Sequence, residues 1–313
     1  MTENTWPTVD TELIDEVTLY SAKLIIPVTG PVIIDGAVAI HGDRVVHVGK
    51  RRWVLKALKQ EMTAHGTIHE RHWDGVLTPG LINAHTHLQY SGMVQVGQGT
   101  YDRFRAWELA FNEVYAEAQK TQPWKQWAED GARQMVESGT TAAADIVTDL
   151  DAAGALASQG MHGIAYWEVM GWHNAEWMEK GRTELIRQLR RMNEEQLPNL
   201  GISPHAPYTL ESEPFVDLPD IARQLNMRLH IHLAETPLEA GTYPPVLTTY
   251  SAADWSDHDW ESYRQLKEVG KGASAIQFVD QLGSLGPDVH IAHGVWANGE
   301  DRRILRQPGL GVA

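Results

Sequence analysis

Apolar and polar positions follow one rhythm near the start of the chain and another after it. Residues up to about 50 read as short β-strands, with Ile33–Ile40 and Arg44–Gly49 flanking the polar, glycine-bearing His41-Gly42-Asp43, a hairpin signal. Arg51–Glu61 reads as a short helix and Glu70–Asp74 as a polar lead-in to the first histidine-bearing strand. From Val76 onward strand-like runs alternate with helix-like ones. The strands fall at Val76–His87, Thr140–Ile146, Gly163–Val169, Leu200–His205, Arg228–Leu233 and Val289–His293, with a seventh starting at Gly309–Ala313. The helix-like stretches are Phe104–Gln119, Trp124–Ser138, Asp151–Gln159, Ala175–Glu195, Glu213–Leu225, Trp260–Val269 and Glu300–Arg306. Gly139, Gly160 and Gly270 stand where helices should stop. This alternation predicts an α/β chain with a parallel sheet, a TIM-type (β/α)8 barrel. The barrel is incomplete, with about six to seven of its eight strands present. The predicted division is a small β-domain over 1–72 and the barrel over 73–313.

Composition narrows the classes. A chain of 313 residues and 35.0 kDa, 42% hydrophobic and 21% charged, can bury a large core and fits a folded enzyme. Its net charge of −15, without a Lys/Arg-rich run, makes nucleic acid and anionic membrane poor partners. No apolar run approaches membrane-spanning length, so a cytoplasmic protein acting on a small molecule is expected. The absence of cysteine removes disulfides, thiolate nucleophiles and Cys-ligated zinc together. Any metal must therefore use histidine and carboxylate. The clustered tryptophans, Trp124/Trp127, Trp167/Trp172/Trp177 and Trp255/Trp260, read as packing. The Pro-, Thr- and Ser-rich stretch from Glu239 to His258 reads as a lid or substrate loop.

Candidate chemistry gathers at the ends of the predicted strands. In Leu77–Leu88 the alternation of a strand puts His85 and His87 on one face, two imidazoles converging as a divalent metal requires. Taken alone the pair equally fits a polar patch on a half-buried strand. His232 ends the fifth strand with Glu235 three residues on, His205 ends the fourth between two prolines, and His293 ends the sixth. Five histidines at strand ends are hard to attribute to chance. The expectation is that all five meet at one mouth. His230, His290 and Asp145 read as hydrogen-bonded structural residues, and Glu168 stays open between a buried acceptor and a substrate contact.

The segments Pro79–His87, Ser138-Gly-Thr-Thr141, Ser203-Pro-His-Ala-Pro-Tyr208, His230-Ile-His-Leu-Ala-Glu-Thr236 and Ala292-His293 resemble the amidohydrolase superfamily. The resemblance is to its deaminase and chlorohydrolase branch, and within that to aminofutalosine deaminases. It implies that His85, His87 and His232 bind one Zn²⁺ or Fe²⁺, that Glu235 and His293 are catalytic, and that His205 and Glu168 face the substrate. It implies one metal, because binuclear relatives carry a carboxylated lysine where this chain has Pro204-His205. The implied activity is hydrolytic deamination of an amino-substituted heterocycle or nucleoside of aminofutalosine or adenine type. Bound Zn²⁺ would lower its water's pKa towards about 7, supplying hydroxide to the amino-bearing carbon, and Glu235 would carry protons to the ring and the departing ammonia. The alternatives are chlorohydrolase-type displacement on a triazine-like ring and a catalytically inactive truncated member.

Two departures from the family pattern stand out. Gly294 replaces a frequent cysteine, and the last metal ligand, an aspartate on strand eight, has no counterpart before Ala313. Asp301 is not expected to substitute, since it lies on a helix-like stretch. The resemblance therefore reads the sequence as most of an enzyme, with a β-sandwich begun by its first residues and completed by later ones. A homodimer is open.

Overall fold

In the computed structural model, residues 13–194, 197, 199–241, 263–266, 268–307 and 309–313 are described. They form two compact units, one up to Gly80 and one from Leu81.

The first unit is a four-stranded sheet of β1 (Ile14–Ile25), β2 (Ile33–His41), β3 (Arg44–Lys50) and β4 (Met62–Leu77), in the order β3-β2-β1-β4. The hairpin at His41–Asp43 forms as expected, with Gly42 at φ +58° where a side chain would be strained. The helix Arg51–Glu61 buries Val54 and Leu58 among Val17, Leu19, Ala37 and Ala39.

β4 corrects the sequence reading. Glu70–Asp74, a polar lead-in by its sequence, belongs to a 16-residue strand running parallel to β1, with Ile25 opposite Leu77. Polar residues occupy both of its largely exposed faces, so it lacks the hydrophobic alternation that announces a strand. The same strand claims Val76 and Leu77, and the histidine strand therefore begins only after Pro79-Gly80.

The second unit is a seven-stranded parallel sheet in simple sequential order: β5 (Leu81–Thr86), β6 (Thr140–Val147), β7 (His162–Val169), β8 (Leu200–Pro204), β9 (Arg228–Leu233), β10 (Val289–His293) and β11 (Gly311–Val312). β5 and β9 are four places apart, which in a flat sheet would be roughly 19 Å. Yet Nδ1 of His85 on β5 lies 3.0 Å from Nε2 of His230 on β9. The sheet is thus curled about its histidine-bearing face, as in an incomplete TIM-type barrel.

Helices cover its other face. Phe215, Leu218 and Ile221 of Ser212–Gln224 and Phe278 of Ala275–Gln281 pack in one core with Ile202, Leu229 and Ile231 of the strands. Ala275–Gln281 has no counterpart in the sequence reading. At seven residues it is too short for a helical period to show, and its start is set by the Ser274 hydroxyl accepting the Gln277 N–H. The predicted helix Asp151–Gln159 is instead a 3₁₀ turn at Leu150–Ala152 and a single helical turn at Ala155–Ser158, parted at Gly154. Trp124 and Trp177 are buried packing residues, as expected. Trp255, Trp260 and all but the first few residues of the Glu239–His258 stretch lie outside the described residues. Among the described residues no helix is long and apolar enough to cross a membrane.

Candidate active site

Parallel strands deliver their C-terminal ends to one rim, and that rim collects the histidines. His85 comes from the end of β5 and His87 from the residue after it, His205 from the residue after β8, His232 from β9 and His293 from the end of β10. Ring centroids lie 5.1 Å apart for His85 and His87, 4.8 Å for His85 and His232, 4.7 Å for His205 and His232, and 5.4 Å for His232 and His293. All five imidazoles therefore meet at one place.

Local devices aim them. After His87 the chain turns through Leu88–Tyr90, held by the Leu88 N–H donating to buried Asp145, and Tyr90 stacks on His87 at 5.6 Å. His205 is tied to the sheet at both ends, its N–H donating to the Val169 carbonyl and its own carbonyl accepting from the His232 N–H. Its Nδ1 lies 2.7 Å from the Thr209 hydroxyl. Ala234 at φ +54° and His293 at φ +81° are non-glycine residues in the left-handed region, both at strand exits beside the site, where such strain is characteristically stored.

Glu239 supports the first of these bends. It is wholly buried and accepts the N–H groups of Ala234, Glu235 and Thr236 within a capping box that begins at Thr236. In the sequence reading Glu239 is only the start of a loop, although Thr236-Pro-Leu-Glu239 carries the S/T-x-x-E signature.

Charge is arranged around neutral rings. Burial lowers His85 to about 4 and His205 to about 3, and holds His87 and His232 well below 6.5, so none is protonated near neutrality. Burial likewise pushes Glu168 up to about 8, with Glu235 adding to it. Glu168 Oε1 stands 3.9 Å from His232 Nδ1 and 4.0 Å from His205 Nε2. Glu235 accepts a hydrogen bond from the Tyr208 hydroxyl at 2.8 Å and lies 3.5 Å from His293 Nε2.

The donors suit a metal ion. One nitrogen each from His85, His87 and His232 lies within 4.8 Å of the others, and Nε2 of His87 is 3.2 Å from Nε2 of His232. Two neutral rings in that contact leave a buried nitrogen bare on one ring, for His87 Nδ1 and His232 Nδ1 both lack partners among the described residues. A cation that accepts both Nε2 lone pairs resolves the conflict, and neutral imidazoles are the ligands that zinc or iron takes. Glu168, His205 and His232 form a second group of the same kind, sharing His232.

A cavity of about 310 Å³ opens onto these residues. One wall comes from a single face of the helix Phe104–Thr121, where Phe104, Trp107 and Phe111 recur at helical spacing, joined by Tyr90, Met170 and Tyr208. The sequence predicts the helix but not its part in the cavity, although the i, i+3, i+7 aromatics announce an apolar face. Asp301, set aside as a ligand, is a structural residue: its carboxylate accepts from the Asn298 N–H, Gln277 and Ser274 at the start of Gly299–Ile304.

Comparison with known proteins adds to this geometry. A 5-methylthioadenosine/S-adenosylhomocysteine deaminase of Thermococcus kodakarensis is 30% identical over 244 residues, 76% of this chain and 51% of that protein. The chain thus spans about half the length of that relative. Among solved structures, the Helicobacter pylori aminofutalosine deaminase in complex with methylthio-coformycin matches with a TM-score of 0.69 at 15% identity, covering 94% of this chain and 69% of that one. The atrazine chlorohydrolase of Arthrobacter aurescens complexed with zinc matches with a TM-score of 0.71 at 16% identity, covering 94% and 64%. These two share the fold. The sequence profile of the amidohydrolase family matches residues 76–242, more than half of the chain, and the chain belongs to that family.

Proposed function

We propose that the site is that of a hydrolytic deaminase of an amino-substituted heterocycle or nucleoside of adenine type. His85, His87 and His232 would hold one divalent ion, zinc or iron. The observation that carries the reading is the meeting of these three neutral imidazoles with Glu235 and His293 at the mouth of an aromatic-walled cavity. The relative from Thermococcus, named for the deamination of adenine nucleosides, supports the substrate class.

A bound ion supplies water acidified to near neutrality, the nucleophile that such a hydrolysis needs. The remaining chemistry belongs to the chain. Glu235, held by the Tyr208 hydroxyl and by its backbone N–H donating to Glu239, is placed to take one proton from the attacking water and deliver it to a ring nitrogen, then to take the second from the hydroxyl so formed and give it to the departing amine. His293, 3.5 Å from Glu235, steadies the charge that develops at the reacting carbon. His205 and Glu168 face the substrate. Burial pushes Glu168 up to about 8 and so favours its neutral carboxyl, the form that donates one hydrogen bond and accepts another from a heterocycle edge. Phe104, Trp107 and Phe111 give the ring an apolar surface on which to lie.

The same reading makes the four-stranded sheet the first part of a β-sandwich. It assigns the chain to the cytoplasm, with a small molecule and neither nucleic acid nor membrane as its partner, and allows a homodimer. The test is ammonia release by the 313-residue chain, with Zn²⁺ or Fe²⁺ supplied, over adenine nucleosides, aminofutalosine, aminopyrimidines and triazines. Ammonia from a purine nucleoside is expected. Chloride from a chlorotriazine without ammonia from any amine would transfer the reading to displacement of a halide, and no product from any of them would mark the chain as inactive.

A further inference from the structure

His230 precedes His232 by two positions on β9 and so shares its face. It is wholly buried and does not line the cavity. Its Nε2 lies 3.0 Å from Nδ1 of His85, the two rings stacked with centroids 4.9 Å apart. The ring of His290 at 4.8 Å and that of Tyr166 at 5.1 Å enclose it, and its own Nδ1 has no hydrogen-bond partner among the described residues.

Such a contact between neutral imidazoles holds one proton: one nitrogen donates and the other accepts. What His85 does with its remaining nitrogen decides which. If His85 offers the Nε2 lone pair to an ion, its proton sits on Nδ1 and is donated to His230 Nε2. The proton of His230 then resides on Nδ1, the unpartnered atom. The opposite polarity would protonate Nε2 of His85 and take that lone pair away.

We propose that His230 is a positioning residue that fixes His85 in its Nδ1–H tautomer and in the ring orientation that leaves Nε2 free for the ion. The proposal rests on the metal reading above. The partner of a ligating histidine is commonly a carboxylate or a carbonyl; here a second histidine serves, drawn from the strand that also supplies His232. The acceptor atom, not the volume of the ring, is what the role requires.

The test compares zinc affinity of the 313-residue chain, by competition with a chromophoric chelator, among the wild type, His230→Phe, His230→Gln and His232→Ala. His230→Phe keeps a ring without an acceptor and should bind zinc about 10- to 100-fold more weakly, the range typical of lost outer-shell partners. His230→Gln restores an acceptor and should recover most of that loss. Unchanged affinity in His230→Phe, or equal losses in both variants, would overturn the proposal. If His232→Ala also left affinity unchanged, the metal reading itself would fail, and if His232→Ala alone lost zinc, only the role of His230 would. A readout without variants comes from histidine-selective ¹⁵N NMR of the zinc-loaded wild type. A protonated Nδ1 on His85 is expected, and a bare one there overturns the proposal even if His230→Phe does not fold.

Discussion

Glu235 is where the chemistry of single residues is easiest to isolate, because its carboxylate is absent from the three-histidine group and stands beside His293, whose ring is 5.4 Å from that of His232. Glu235→Gln should lower deaminase turnover by about 10²- to 10⁴-fold, the usual share of a general acid–base group. Zinc content should stay at the wild-type level. Parallel ammonia release and metal analysis check both halves, and loss of the metal would place Glu235 among the ligands instead. Tyr208→Phe removes only the donor to Glu235 Oε2. A hydrogen bond to a charged group contributes about 1.5–3 kcal/mol, so kcat should fall about 10- to 100-fold with little change in KM. At this scale the sequence is generous. The five rim histidines, Glu168 and Glu235 sit in short motifs at strand ends, and their convergence follows once the strands are parallel. The pairing of His85 with His230 is not legible, because the partners are 145 positions apart and their contact depends on how tightly the sheet curls. A buried strand histidine looks the same in sequence whether it packs or orients.

Elements are legible where period and length both speak. Six of the seven barrel strands are apolar runs between helix-like stretches; five of them lie at their expected places, while β5 begins five residues later than its sequence suggests because β4 takes Val76 and Leu77. β4 is hidden by its polar faces, and Ala275–Gln281 by its brevity. Glycines in the strands carry information that periodicity does not. Gly163, at the start of β7, has φ +139°, and a Cβ there would lie 1.9 Å from the carbonyl oxygen of Ala143 on β6. Gly163→Ala must therefore force the two strands apart, whereas Gly160→Ala, at φ +65° with open space around it, meets only backbone strain of about 1–2 kcal/mol. Thermal unfolding should rank Gly163→Ala well below Gly160→Ala, and equal midpoints would mean that the β6–β7 pairing is looser than it stands here. The helix Phe104–Thr121 offers the matching functional case. Trp107→Ala opens its aromatic face, and if, as proposed, that face holds substrate and transition state alike, KM should rise with kcat nearly unchanged.

On the scale of the whole molecule, every nitrogen and carboxylate of the site belongs to the unit from Leu81 onward, so its titration and metal binding govern the stability of that unit. In the presence of a chelator two sets of groups oppose each other. His85, His87, His205, His230, His232 and His290 have folded pKa values lowered by burial, so their contribution is full above about 6.5 and is lost as pH falls from there through the folded values, about 4 for His85, about 3 for His205 and about 2 for His230. Asp145, Glu168 and Glu239 are raised by burial to about 8, so theirs is full below about 4 and is lost as pH rises towards 8. Below 6.5 the six histidines outnumber the three carboxyls, and above it the carboxyls act alone. The unfolding midpoint without metal should therefore peak near pH 6.5 and fall on both sides. Zinc binds the folded site and not a preformed site in the unfolded chain, so at a hundredfold excess over its Kd it adds about 2.7 kcal/mol, roughly 5–10 °C for a unit of this size. Imidazoles held neutral by burial have no proton to give up, so in the folded chain zinc affinity should stay constant from pH 8 down to about 5, where free histidines would already have lost it. Calorimetry across pH, with zinc and with chelator, measures both curves. A zinc-dependent gain that collapsed at pH 6.5 would mean that the rim histidines titrate as exposed ones do, contradicting the burial from which their ligand character was derived.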